Sequence, residues 1–277
     1  MVELLSLGSA VSFGIGDFFG GRATRISSPI RVTAVAYIAS VLVLVPLVFV
    51  VPAENVTAAD VWWGALGGIA GMFGVLALYA GLGRGPMGLV APTTAVLSAL
   101  VPVAWGFFVG ERPGGLATIG IFLGLVGIAI VSGSDGPAGR LDRTLLTLGL
   151  FAGLGFGAFF IALDQTSVDS GMWPLVGARA VTVPMILFAA WSERPVPHLG
   201  DGVRFAIGAG VFDMVANGMF LAAAQRGLIA VAAVLAALYP AFTAILARVV
   251  LHERVSRFQL TGVGLALVAI VLIGFPQ

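Results

Sequence analysis

The chain alternates long apolar runs with short clusters of Arg, Asp, Pro and Gly along its whole length. A run of about 20 apolar residues is long enough to cross the hydrocarbon core of a bilayer as a helix. Read that way, the runs predict ten helices, near 3–21, 31–51, 61–82, 88–109, 115–133, 144–164, 173–192, 204–224, 229–250 and 257–275. Connections are short, and the longest polar stretches, 52–60, 134–143 and 193–203, are too small to fold as separate domains. The first run has Glu3 where a secretory leader carries basic residues, and no cleavage site precedes Arg22, so it reads as a retained helix.

The pattern repeats. A shift of 142 positions lays Arg84–Val131 on Arg226–Ile273 without a gap. Arg84-Gly85 then falls on Arg226-Gly227, Glu111-Arg112 on Glu253-Arg254, and Gly120 on Gly262. A shift of 141 lays Gly14-Ile15-Gly16-Asp17-Phe18-Phe19 on Gly155-Phe156-Gly157-Ala158-Phe159-Phe160. The expected organisation is one five-helix unit over 1–133, a connecting loop over 134–143 and a second five-helix unit over 144–277. Five is odd, so the two units must cross the membrane in opposite senses. The expected fold class is an all-α membrane protein with ten transmembrane helices in two inverted repeats, a usual construction of secondary transporters.

Composition agrees and narrows the chemistry. Of 277 residues, 59% are hydrophobic and 10% charged, and the mean hydropathy is +1.09. That is too little charge to cover a water-facing surface, and too much apolar content for disorder. Cysteine is absent, which removes disulfides and thiolate chemistry. All basic residues are arginine, so the lysine of a phosphate-binding loop and Schiff-base catalysis are removed as well. The only histidines, His198 and His252, stand beside charged loop residues, and no metal site or cofactor is expected. A net charge of +1 argues against a nucleic-acid partner.

Arginines concentrate in the connections after the odd-numbered helices, including Arg22, Arg25, Arg84, Arg143, Arg194 and Arg204. The opposite side holds only Arg112 and Arg226. The positive-inside rule places the odd connections in the cytoplasm and both termini outside, in the cell membrane, the inner membrane of a bacterium.

These features resemble the EamA-like branch of the drug/metabolite transporter superfamily. The resemblance rests on the five-plus-five halves, on Leu82-Gly83-Arg84-Gly85-Pro86 after an alanine-rich third helix, and on Gly110-Glu111 followed by Gly120. The second half repeats the last motif as His252-Glu253 and Gly262, with His for Gly, and has Gly227-Leu228 in place of Gly-Pro. The likeness covers essentially the whole chain. It implies a transporter, in a group made up mostly of exporters of amino acids, other metabolites or drugs, often driven by protons.

Charged residues inside a span need a reason, because each costs about 2.5–3.5 kcal/mol to insert. Asp213 lies mid-run in the eighth helix, with Asn217 one turn later on the same face. The pair could exchange a proton and meet a substrate amine, or Asp213 could form a structural ion pair with Arg179 of the seventh helix. Arg179 could instead receive a substrate carboxylate. Asp17, among the glycines of the first helix, reads either as a proton or cation site beside unwound backbone or as an interfacial group paired with Arg22 or Arg25. Tyr239, Thr243, Tyr79 and Thr94 offer hydrogen bonds to a cavity or to helix packing, and Pro240 is expected to kink the ninth helix. Gly64, Gly67, Gly68 and Gly71, with Gly149, Gly153 and Gly157, read as close helix contacts. Glu111 and Glu253 read as structural, each favouring the dipole of the helix it opens.

Taken together, the residues predict a proton-coupled exporter of a small polar metabolite, such as an amino acid, working by alternating access. Its partners are the small molecule, the bilayer and protons. The alternatives are an uncoupled or exchange-type metabolite, sugar or drug transporter, or a non-transporting scaffold. An intramembrane enzyme is excluded for want of a nucleophile–base pair within the spans.

Overall fold

A computed structural model describes residues 1–84, 87–133, 143–194, 199–243, 246 and 257–273. Residues 134–142 of the loop expected over 134–143, the Gly85-Pro86 step, most of 244–256 with His252 and Glu253, His198 and the last four residues lie outside the described residues.

The described residues form helices and connecting turns, with no strand among them. The helices are α1 (Val2–Thr24), α2 (Pro29–Val50), α3 (Ala58–Arg84), α4 (Met87–Val109), α5 (Gly115–Gly133), α6 (Arg143–Asp164), α7 (Trp173–Ser192), α8 (Gly202–Ala224), α9 (Ile229–Ala236) and α10 (Arg257–Ile273). Polar caps extend several beyond their apolar runs. Ser28 accepts from the Arg31 amide ahead of Pro29, whose fixed φ suits the first turn of α2. At α3, Thr57 and Asp60 bond reciprocally across the first turn, so the helix starts at Ala58 and not at 61. The expected ninth helix is interrupted: α9 stops at Ala236, Ala237 and Leu238 form a turn, and helix resumes at Tyr239. Pro240 explains the break, since it has no amide to return to the carbonyl four residues back. Continuous helix through Asp17 replaces the expected unwound backbone in α1.

Six helices, α1, α2, α3, α6, α7 and α8, are each long and apolar enough to cross a bilayer, and shorter apolar helical stretches run over Thr94–Val109, Gly115–Gly127 and Ile229–Thr243. The chain is a multi-pass, helical membrane protein. Large side chains turn outward, with Phe49 and Phe108 more than four-fifths exposed, while Ala, Gly and Ser fill the contacts between helices. Lipid is as apolar as leucine, so close backbone approach drives helix association here. Gly64 of α3 lies against the Pro174 carbonyl of α7, Gly177 of α7 answers it against the Val61 carbonyl, and Gly68 sits on Ala178.

The helix ends sort onto two faces. One collects the start of α1 and the 51–57, 110–114, 165–172 and 225–228 connections. Ser167 donates its amide to Asp60 at 2.7 Å, Gln225 reaches the Ser167 carbonyl at 2.8 Å, and Gly227 lies on Val2. Trp62, Trp63 and Trp173 stand exposed at this level, as interfacial anchors do. The other face brings together Thr24 with Gly83, Ile26 with Gly202, and Arg31 with Glu193 at 3.4 Å. Arg22, Arg25, Arg84, Arg143, Arg194 and Arg204 belong to this second face by their positions at helix ends.

Packing joins the two halves of the chain. The largest interfaces are α1 with α8, α5 with α10, α3 with α6, α4 with α6, α3 with α7 and α2 with α8. Exchanging α1–α5 for α6–α10 in order turns α1–α8 into α6–α3, α2–α8 into α7–α3 and α4–α6 into α9–α1, all of which are present, and returns α5–α10 to itself. Each of these interfaces therefore has its counterpart.

Candidate functional site

Where α1, α2, α3, α4, α6, α7 and α8 converge with the Tyr239 turn, the helices leave a cavity. The space open to the centre of a water molecule is about 40 Å³, room for a few waters. All six candidate residues, Asp17, Tyr79, Arg179, Asp213, Asn217 and Tyr239, line it. Their neighbours are Tyr37, Ser98, Phe13, Phe156, Phe159 and Phe160, with Gly16, Gly68, Gly71 and Val75 forming thin walls.

Glycines set this geometry. Gly16 of α1 rests against the backbone of Ala209 and Asp213, so α1 and α8 approach closely and put Asp17 and Asp213 on one cavity. Gly20 leaves the room that the Tyr79 ring occupies.

Arg179 is buried, and its charge is met on three sides. Nη2 donates to the Asp213 carboxylate at 2.5 Å, Nε donates to Ser40 Oγ at 2.8 Å, and the guanidinium lies over the Tyr37 ring at 4.1 Å from its centroid. Ser40 donates its own proton to the Tyr37 carbonyl. Of the two expected roles for Asp213 and Arg179, the structure displays the ion pair. Arg179 is held well inside α7, whereas the residue near a helix boundary is Arg31, which pairs with Glu193.

Asp17 differs. It forms no hydrogen bond or ion pair among the described residues, and neither Arg22 nor Arg25 reaches it, so the expected interfacial pairing is replaced by a carboxylate facing the cavity. Arg22 lies instead over the Phe205 ring at 4.8 Å. Asn217 is buried, and its Oδ1 has no hydrogen-bond partner among the described residues. Tyr239 donates to the Ala91 carbonyl at 3.1 Å, which anchors its ring on the cavity wall. Thr94 and Thr243 serve packing: Thr94 donates to Val90 and Gly149 carbonyls, and Thr243 to those of Gly14 and Tyr239.

Tyr37, Ser40, Ser98 and the phenylalanines do not stand out in the sequence, because apolar and hydroxyl residues are common in spans. One signal was available: the chain has three tyrosines, and Tyr37, Tyr79 and Tyr239 all line this cavity. Glu111 needs a correction. It does not serve α5, which starts at Gly115. Its carboxylate accepts from the Ile229 amide at 2.6 Å and the Ala230 amide at 3.1 Å, capping α9 of the other half. The repeat-related Glu253 lies outside the described residues. No group of three or more His, Cys, Asp or Glu able to hold a metal occurs among the described residues.

Comparison with known proteins completes the picture. No curated protein matches the chain. Among the solved structures that match, a crystal structure superposes with a TM-score of 0.70 at 18% sequence identity, over 99% of this chain and 96% of the other, a likeness of fold. The EamA-like transporter family matches twice, over residues 1–133 and 143–275, nearly the whole length and once for each half. The chain belongs to the EamA-like transporter family, and is thereby a membrane transporter of the drug/metabolite superfamily.

Proposed function

We propose that the protein is a proton-coupled exporter of a small, polar, amine-bearing metabolite, an amino acid or a related amine, acting by alternating access between two inverted five-helix repeats. Catalysis forms no part of this reading. The repeats are 1–133 and 144–277, joined by 134–143, and the ten helices cross the inner membrane of a bacterium with both termini outside. The exchange symmetry of the helix contacts and the two family matches support the repeats. The sorting of arginines onto one face supports the orientation.

The observation that carries the coupling is Asp17. A carboxylate inside a membrane protein needs a cation. Asp213 has Arg179, while Asp17, unpaired among the described residues, faces the cavity it shares with Asp213, Arg179, Tyr37, Tyr79 and Tyr239. Its cation is then a proton in one state and the substrate's ammonium in the other, and competition for one carboxylate is antiport. Loading on one side and release on the other require the halves to part on one face at a time, as rocking of inverted repeats provides.

The test uses purified protein in liposomes and in expressing cells. Wild type enriches a metabolite in the medium, the flux rises when the outside is made more acid, and Asp17→Asn abolishes the dependence on the proton gradient. Gradient-driven flux that survives in Asp17→Asn would place the coupling elsewhere. Flux indifferent to pH in the wild type would favour the uncoupled or exchange-type alternative.

A further inference from the structure

We propose that the substrate is an organic cation, an amine on an apolar or aromatic body that carries no free carboxylate, bound with its ammonium on Asp17. The proposal rests on the transport reading above and keeps its amine, but replaces the polar, carboxylate-bearing body of an amino acid with an apolar one.

Charge balance comes first. A zwitterion needs a free cation in the site for its carboxylate. Arg179, the one arginine among the described residues that line the cavity, is already neutralised by Asp213, engaged by Ser40 and covered by Tyr37. With Asp17 ionised, the remaining charge of the site is negative, so an ammonium gains there and a carboxylate loses. An amino acid bound through both ends would have its carboxylate compete with Asp213 for Arg179, whose charge that carboxylate already neutralises.

The walls agree with a cation. Phe13, Tyr79, Phe156 and Tyr239 line the same cavity as Asp17, and Phe13 meets the Tyr239 ring edge-on with centroids 6.4 Å apart. Aromatic faces attract ammonium groups and pack apolar bodies, and both gains increase away from water.

The test is binding by calorimetry to the purified full chain in a nonionic detergent, with four probes of one shape: phenethylamine, phenylalanine, 3-phenylpropionate and 2-phenylethanol. Phenethylamine binds most tightly, and Asp17→Asn weakens it about ten- to hundredfold, as the loss of one charge-assisted contact requires. Phenylalanine binding as tightly as phenethylamine, or no binding of phenethylamine at all, overturns the proposal. So does affinity for phenethylamine that Asp17→Asn leaves unchanged while the variant elutes and unfolds as wild type does. Should Asp17→Asn fail to fold, the charge selectivity of the wild type among the four probes decides alone. Transport separates the two readings. Asp17-dependent binding of phenethylamine without flux in liposomes refutes the transporter reading and keeps the cation site. Gradient-driven export of a carboxylate-bearing compound keeps the transporter and refutes the cation.

Discussion

The Arg179–Asp213 pair sets how any mutation of the cavity must be interpreted. Removing one partner of a fully buried pair costs about 3–5 kcal/mol, whereas an exposed pair is worth about 1 kcal/mol or less. Here the side chains are 8% and 21% exposed, so Arg179 is inside and Asp213 touches the cavity. Arg179→Met strands the carboxylate and should cost about 2–4 kcal/mol, between the exposed and the fully buried case. Asp213→Asn should cost less, about 1–2 kcal/mol, because its amide oxygen still accepts from Nη2 and the Tyr37 face still shields the cation. Once one partner is gone, loss of the second removes no further attraction, so the double variant should be more stable than the sum predicts by about 1–2 kcal/mol. Chemical or thermal unfolding of the four proteins in one detergent measures the cycle. Losses that add to within about 0.5 kcal/mol would refute the pairing as an energetic unit. The cycle also bears on mechanism. If Asp213→Asn lowers flux and Arg179→Met restores part of it, the single loss came from a stranded arginine and not from a missing proton carrier.

Further outcomes follow from the same packing. Glu111→Ala should destabilise the protein by about 1–2 kcal/mol through loss of the α9 cap, and Arg112→Ala, whose side chain bonds only nearby carbonyls, by about 0.5 kcal/mol or less; thermal unfolding compares them. Equal effects would mean that the carboxylate's reach across the halves contributes nothing. Gly64→Val places a branched side chain against the Pro174 backbone, so α3 and α7 must separate, with a cost of about 1–3 kcal/mol or more. Gly115→Val, at a glycine with open space around it, is the matched control, and similar unfolding of the two variants would remove the close-contact argument.

Much was legible in the sequence because a bilayer imposes a simple rule: every span must satisfy its backbone internally and present apolar side chains outward. That rule locates the helices, makes arginines mark one face, and lets Asp17, Arg179 and Asp213 stand out as charges inside apolar runs. The glycines of α3 and α6 read as helix contacts for the same reason, and Gly64, Gly68 and Gly153 do lie against neighbouring backbone. Helix ends were less legible, since caps such as Thr57 with Asp60 work by hydrogen bonds that hydropathy does not register.

Partnership was decided by tertiary structure alone. Asp17 and Asp213 are chemically alike, and in the sequence each had arginines within plausible reach. Their difference arises because α7 and α8 both pack on α2, bringing Arg179 to Asp213, whereas the α1 helix turns Asp17 away from Arg22 and into the cavity. Glu111 makes the same point: its helix-capping chemistry was readable, but the helix it caps belongs to the other half, 118 residues away in the chain. Hydropathy acts locally along one helix, while ion pairs and caps depend on which helices meet, and that is set by small-residue contacts between segments distant in sequence.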